Sequence, residues 1–451
     1  MGSTASAETL SNALAAAYRS NPKLDAARAT LRATDEEIAR ARSGYRPTLS
    51  GSADVSHERS TVNSSAGTSS SVTSPRGYSV KATQPLFSGG RTLNAVNEAE
   101  ATVRAGRELL RTVEQTVLLD AATSYMDVIR DAAILGLREN NITVLKKDLH
   151  ATRQRLSVGD VTRTDLAQTE ARLAAAISAT EAARATLKIS RSNFERHIGH
   201  PPSKLIEPKL DAKRLPKAVE EAVRTAEREH PAIVAAFYRE QAARSTVDRI
   251  WGELLPSMQL EATYSRRLEP SSQIDASSTT TVIGRLSVPL YSGGEVEARV
   301  RQAKHTHIGR IQEIQQSRQE ISSSVIAAWA QFSAAKAQLI SDTAQLAATR
   351  VALSGIRQEE KAGQRTLLDV LNAEQDMLNA DVIISTTRRN IIVTAYTLLA
   401  AIGRLNVQEI GSVANVYDAE VHTNEVRHQW RGSSITHRLE SWTTEVKPAT
   451  R

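Results

Sequence analysis

Cysteine is missing from all 451 residues, which excludes a disulfide framework and a thiolate nucleophile and fits passage through an oxidising compartment. Aromatic residues make up only 4% of the chain, thin for a large globular core. Plentiful Ala, Arg, Glu, Gln and Leu instead suit long helices packed along narrow seams. The longest mostly apolar run, Ile391 to Ile402, holds two threonines and falls well short of the ~20 residues a spanning helix needs, so no helix crosses a membrane. The net charge of +7 is spread along the chain without a Lys/Arg block, and no nucleic-acid partner is expected. Proline is absent between Leu86 and His200 and between Leu290 and Lys447, which leaves long stretches free to be helical.

What is present is a duplication. Gly159-Asp160-Val161-Thr162-Arg163-Thr164-Asp165-Leu166 is repeated in frame by Gly363-Gln364-Arg365-Thr366-Leu367-Leu368-Asp369-Val370, 204 positions later (159 to 363). The same offset relates Pro85-Leu86-Phe87-Ser88-Gly89-Gly90 to Pro289-Leu290-Tyr291-Ser292-Gly293-Gly294, and Ile198-Gly199 to Ile402-Gly403. The chain is therefore one structural unit written twice. The expected division is a first repeat over 8–210, a second over 211–405 and a C-terminal segment over 406–451. Each repeat carries helices, a β-hairpin (about 46–87 and 256–291) and a long helical hairpin (88–199 and 292–403). Ala5-Ser6-Ala7 reads as an Ala-x-Ala peptidase site, so residues 1–7 are expected to be the remnant of a secretory leader.

The hydrophobic period changes along each repeat. Leu10, Leu14 and Tyr18, then Leu24, Ala27, Leu31 and Ile38, keep helical spacing until Pro47. Leu49, Gly51, Ala53 and Val55 then alternate with polar residues, as do Tyr78, Val80 and Ala82. The second copy repeats this with Met258, Leu260, Ala262 and Tyr264, and with Val282, Gly284, Leu286 and Val288. Each half thus predicts one hairpin with one apolar and one polar face, joined by Ser/Thr-rich loops over Arg59 to Gly77 and Glu269 to Thr280. Such strands fit a soluble sheet with one wet face. They equally fit a transmembrane barrel, whose strands are ~9–11 residues long. The long loops, the aromatics near strand ends (Tyr45, Tyr78, Phe87, Tyr264, Tyr291) and the lack of an apolar segment to cover the sheet favour the barrel. Four strands cannot close one, since about eight is the small end, so a barrel requires oligomerisation.

After the Ser-Gly-Gly segments, Ala121, Val128, Leu135, Ile142, Leu145, Leu149 and Leu156 step by sevens, threes and fours. Ile314, Ile321, Val325, Ala328, Phe332, Leu339, Leu346 and Leu353 do the same in the second copy. That is a coiled-coil seam. A continuous helix from Arg91 to Ser157 would be about 100 Å long at ~1.5 Å per residue and would project away from the sheet. Each rod ends at Gly159 or Gly363, suited to a left-handed position past a helix C-terminus. Thr162 and Thr366 then cap the next helix, with Asp165 and Asp369 completing capping boxes. Local capping accounts for both aspartates; a functional reading adds acidic groups crowding a ring axis at the far ends of the rods.

Other residues carry less. His305 and His307 point to different faces of a helix, His197 and His200 lie where a helix ends, and no metal site or cofactor is expected. The joints Ser88, Gly89, Gly90 and Ser292, Gly293, Gly294 lack the Gly-Lys-[Ser/Thr] of a phosphate loop; they are expected to turn strand into helix. Nothing resembles a catalytic constellation, so an enzyme is not expected.

The doubled plan, the Leu-[Phe/Tyr]-Ser-Gly-Gly joints and the two Gly…Thr…Asp turns together resemble the TolC family of outer-membrane efflux proteins over about residues 8–405, closest to its type I secretion and multidrug efflux branch. The resemblance implies an α+β membrane protein. In it a homotrimer forms a 12-stranded β-barrel in outer-membrane lipid, continued by an α-helical coiled-coil tunnel through the periplasm. The partners it implies are a periplasmic adaptor (membrane fusion protein) and an inner-membrane pump of ABC or RND type. It also implies a periplasmic gate at the turns. Asp165 and Arg365 would link neighbouring coiled coils there, and Asp369 would sit in an acidic ring. Asn372 stands where a second acid is common and Glu360 where a tyrosine is common, so the closing network must differ in detail. Val158, Gly159, Thr162, Gly363 and Thr366 would be adaptor-facing tips. Pro201 to Pro216 and the tail after Gly403 would form a belt around the tunnel. Two other readings compete: a soluble periplasmic coiled-coil adaptor, which would share the rods but not the strands, and a secreted pore-forming toxin, which would not need two repeated rods.

Overall fold

A computed structural model describes residues 8–210, 214–271, 273–410, 416–430 and 432–433. The expected leader remnant, residues 1–7, lies outside the described residues. Helix α1 (Leu10–Ser20) starts at Thr9, whose hydroxyl accepts from the Asn12 N–H, and stops where Asn21 turns extended. Pro22 then opens α2 (Pro22–Arg42), at the helix position where a missing N–H costs nothing. The strands β1 (Thr48–Val55), β2 (Glu58–Ser64), β3 (Gly67–Thr73) and β4 (Arg76–Phe87) follow. The first helical hairpin is α3 (Arg91–Ser157) and α4 (Arg163–Ile198). The second repeat gives α5 (Val219–Glu229), α6 (Pro231–Trp251), β5 (Ser257–Ser271), β6 (Ile274–Ser287), α7 (Glu295–Lys361) and α8 (Leu367–Ile402). Short helices α9 (Val407–Ile410) and α10 (Ala419–Arg427) end the described chain. Helices α3 and α7 are both 67 residues long, and α4 and α8 both 36, so the duplication holds to the residue.

The chain divides into two compact units, each drawing on both repeats. One comprises Met1–Ala29, Arg107–Ala236 and Glu313–Tyr417. Its interior includes the fully buried Tyr125 and Phe194, with rings 6.2 Å apart, and aliphatic clusters along the helices. Ala222, Ala226, Val325, Ala328, Leu398 and Ile402 form one cluster, and Leu145, Ala176 and Leu371 another. Of the expected seam residues, Ala121, Val128, Leu145, Leu149, Val325, Ala328, Leu346 and Leu353 are buried. Leu135, Ile142 and Phe332 are only half-buried.

The other unit, Thr30–Gly106, Phe237–Gln312 and Asp418–Arg451, holds the sheet. Four antiparallel strands run in the order β1-β4-β5-β6, with helices attached at one end only: α2 before β1, α3 after β4, α6 before β5, α7 after β6. The register puts Leu49 opposite Ala82, Ala53 opposite Tyr78, Val80 opposite Tyr264, Ala82 opposite Ala262, and Met258 opposite Leu286. Because side chains alternate with period two, all of these share one face. Lys81, Glu261 and Arg285 share the other, where Glu261 pairs with Lys81 at 2.9 Å and Arg285 at 3.4 Å. Among the described residues nothing covers the apolar face: Leu49 is 76% exposed, Val282 66% and Leu286 65%.

Both Ser/Thr-rich loops differ from expectation. Arg59 to Gly77 contains β2 and β3, paired with each other from Glu58↔Thr73 to Ser64↔Gly67, and the first residues of β4. Glu269 to Thr280 belongs to the end of the β5–β6 ribbon, where the register shifts between Leu268 and Ser271. Serine and threonine give no apolar alternation, yet cross-strand hydroxyl pairs and β-branched threonine support a solvated ladder.

The C-terminal helix α10 is pinned within this second unit. The fully buried Asp35 carboxylate accepts from Thr423 Oγ1 at 2.9 Å and lies 2.9 Å from His422 Nδ1, while Arg427 reaches Glu100 at 2.7 Å.

Candidate functional site

The two turns that join the long helices are built alike. Helix α3 ends as the Gly159 N–H bonds the Leu156 carbonyl (3.1 Å) and the Asp160 N–H the Arg155 carbonyl (2.9 Å), with Gly159 at φ +84°. Helix α7 ends the same way at Gly363, φ +75°, through bonds to Glu360 and Glu359, both 2.9 Å. Those left-handed values need glycine. Thr162 Oγ1 then accepts from the Asp165 N–H at 3.2 Å, and Asp165 Oδ2 accepts from the Thr162 N–H at 2.8 Å. Thr366 and Asp369 repeat this at 3.2 and 3.0 Å. Both capping boxes read from the sequence are thus formed. These bonds favour the ionised carboxyl, so Asp165 and Asp369 are held below the usual carboxylate range and stay negative down to acid pH.

Around the turns lies a charge network that links the two repeats. Arg155 bridges Asp160 and Glu360, both at 2.6 Å, joining α3 to α7. Arg172 on α4 donates to Asn372 Oδ1 on α8 at 2.7 Å. Arg365 pairs with Glu359 of its own turn at 3.0 Å. Within the single chain the described ion pairs do not join Asp165 to Arg365. Two arginines of the first repeat that no sequence motif singled out, Arg155 and Arg172, take Glu360 and Asn372 as partners. Val158, Gly159, Thr162, Gly363 and Thr366 are all exposed, Val158 to 78%.

Just inside the turns the half-buried Asp148 carboxyl meets the buried carboxyl of Glu374. Asp148 on α3 and Glu374 on α8 each have a buried oxygen with no hydrogen-bond partner, while the other Glu374 oxygen pairs with Arg357 on α7 at 2.5 Å. Burial, followed by the Glu374 charge, pushes the Asp148 carboxyl up to about 6, against the opposing pull of Arg357.

At the strand–helix joints all four glycines have positive φ: Gly89 +63°, Gly90 +76°, Gly293 +70° and Gly294 +83°. Gly89 is also hemmed in, since an added Cβ would lie 2.4 Å from the Gly252 carbonyl oxygen. Ser88 Oγ is 2.9 Å from Thr92 Oγ1 at the start of α3. His307 meets Glu240 at 2.5 Å, which ties α7 to α6 and uses that imidazole structurally.

Residues 13–200 and 222–404 match the outer membrane efflux protein family, one match for each repeat. The chain belongs to that family. It is 35% identical over 434 residues to the outer membrane efflux protein BepC of Brucella suis, covering 96% of this chain and 93% of that one. It is 24% identical to the outer membrane protein TolC of Escherichia coli over 94% of this chain and 87% of the other. The fold is that of the Campylobacter jejuni CmeC outer membrane channel, with a TM-score of 0.78 at 15% identity, covering 93% of this chain and 89% of that one. This efflux protein is accordingly a non-enzymatic export channel subunit of the Gram-negative outer membrane, and the soluble-adaptor and toxin readings fall away.

Proposed function

We propose that three copies of the chain share one 12-stranded barrel and one helical tunnel, which a periplasmic adaptor and an inner-membrane pump of ABC or RND type load with drugs or secreted proteins. The observation that carries this is the sheet. It has four strands, an exposed apolar face and two open edges at β1 and β6, and open edges are not tolerated in lipid. Three copies give twelve strands and no edge. On this reading the sheet end bearing the helices is periplasmic, and the β2–β3 hairpin faces outward.

The paired turns are then the periplasmic gate. Asp165 and Arg365, each committed within its own chain to short local bonds, are exposed enough to meet across neighbouring coiled coils, and Asp369 from three chains makes an acidic ring. Glu360 is held by Arg155 and Asn372 by Arg172, so the ring carries one acid per chain from this pair of positions. Val158, Gly159, Thr162, Gly363 and Thr366 are the surface offered to the adaptor. The division into repeats 8–210 and 211–405, with 406–451 as belt and tail, belongs to the same reading.

Planar-bilayer recording tests the gate. Asp165→Ala combined with Arg365→Ala raises single-channel conductance if the pair is a lock; unchanged conductance removes it from the gate. Multivalent cations added from the periplasmic side block the current, and Asp369→Asn relieves that block. A block that persists in Asp369→Asn assigns it to another acid.

A further inference from the structure

The apolar face of the sheet is free of charge along most of its length and then carries two arginines. Register and parity put Met258, Leu260, Ala262 and Tyr264 on this face of β5, followed by Arg266; on β4 the order is Ala82, Val80, Tyr78 and then Arg76. Tyr78 lies directly opposite Arg266, which leaves Arg76 on the diagonal, about 7–8 Å away in an antiparallel ladder. Tyr78, beside Arg266, and Tyr264, two residues before it on β5, share this face with their rings 6.3 Å apart.

The level of these residues follows from strand geometry. Arg266 is eight residues beyond Met258, roughly 26 Å along the strand at ~3.3 Å per residue, and so about 20 Å higher after the usual tilt. Arg76 is eleven residues from Phe87, roughly 36 Å along and about 28 Å up. The apolar band of an outer-membrane barrel is about 25 Å tall and bordered by aromatic girdles. Arg266, paired with Tyr78, therefore stands just inside its far border and Arg76 just beyond it. A lipid-facing arginine costs roughly 2–4 kcal/mol at the midplane but close to nothing there.

Partners among the described residues differ within the group. Arg76 shares a 3.4 Å pair with Glu269, and Arg267, on the opposite face, pairs with Asp54 at 3.5 Å. Arg266 is exposed and has no ion pair among the described residues. Guanidinium forks match phosphate oxygens, and a membrane-border cluster of cation and aromatic is suited to a charged headgroup above an acyl chain.

We propose that Arg76 and Arg266, backed by Tyr78 and Tyr264, bind a phosphate of the phosphorylated glycolipid that forms the outer leaflet. This rests on the orientation given above, with the helices periplasmic, which places the helix-free end of the strands in that leaflet. The site lies within one chain, so an assembly of three carries three of them.

The test uses the full-length channel purified in detergent and titrated with diphosphoryl lipid A in mixed micelles, with binding read by native mass spectrometry. Arg76→Gln combined with Arg266→Gln weakens binding at least tenfold, whereas Arg267→Gln, one residue away on the other face, leaves it unchanged. Lipid A stripped of phosphate binds the wild type no better than intact lipid A binds the double variant, and inorganic phosphate does not compete at equal concentration. Equal binding by the double variant and the wild type overturns the proposal. So does an equal loss in Arg267→Gln, or phosphatidylglycerol binding as tightly as lipid A. Insertion of each protein into vesicles is scored alongside. A wild type that does not insert refutes the channel reading, while a double variant that inserts and still binds lipid A refutes only this site.

Discussion

Replacing Asp148 by asparagine is expected to stabilise the protein at neutral pH, although it deletes a charge from a charged neighbourhood. Asp148 faces Glu374 across the α3–α8 contact, and each presents a buried oxygen without a partner. Arg357 serves Glu374 directly, Glu360 adds a further negative charge, and Arg155 is committed to Glu360 and Asp160. The Asp148 carboxyl rises from its ordinary 3.8 to about 6, first because of burial and then because of Glu374. Each pH unit of such a shift corresponds to about 1.4 kcal/mol, so the full effect is about 3 kcal/mol. Partial exposure of Asp148 and solvent screening cut this to about 1–2 kcal/mol. The sign follows from proton binding. Between about pH 4 and pH 6 the folded protein holds the proton and the unfolded chain does not, so stability falls as pH rises through that window. At pH 7.5 the wild type bears the whole penalty; at pH 4 it bears none. Asp148→Asn keeps the shape of the protonated acid and removes the titration. Its thermal midpoint, followed by circular dichroism at 222 nm, should exceed the wild type by about 1–2 °C at pH 7.5 and match it at pH 4. A constant difference across this range, or a variant less stable at pH 7.5, would refute the reasoning. Glu374→Gln should behave oppositely, because it strips Arg357 of its partner.

Two further outcomes follow from the turns and the joints. Thr162→Ala and Thr366→Ala each remove an N-cap and should cost about 1 kcal/mol, visible as earlier proteolytic nicking at 158–166 or 362–370 and no change in sheet content. Gly89→Ala combines a positive φ with a Cβ 2.4 Å from the Gly252 carbonyl oxygen, so it should lower the yield of folded channel far more than Gly293→Ala, which has nothing within 4 Å.

Much of this architecture was legible in the chain because its signals are local or periodic. Gly159, Thr162 and Asp165 specify a helix stop and a capping box within seven residues, and the 204-residue echo specifies a second. Alternation from Leu49 to Val55 and from Met258 to Tyr264 identifies the apolar face before any register is known. The β2–β3 hairpin was not legible, since Ser60, Thr61, Ser69 and Ser70 have no apolar side to alternate. Nor were the links from Arg155 to Glu360 and Arg172 to Asn372, or the meeting of Asp148 with Glu374. Those partners are some two hundred residues apart, and each is an ordinary charged or polar residue on a helix surface rich in them. Only the packing of four helices tells which of many such residues become neighbours.

The central claim is that one protomer has too little sheet to close a wall in lipid and must share it. Multi-angle light scattering of the detergent-solubilised protein, corrected for bound detergent, measures this directly. The expected result is a particle of three chains that also inserts into lipid vesicles. A stable single chain, monodisperse in water without detergent, would contradict it.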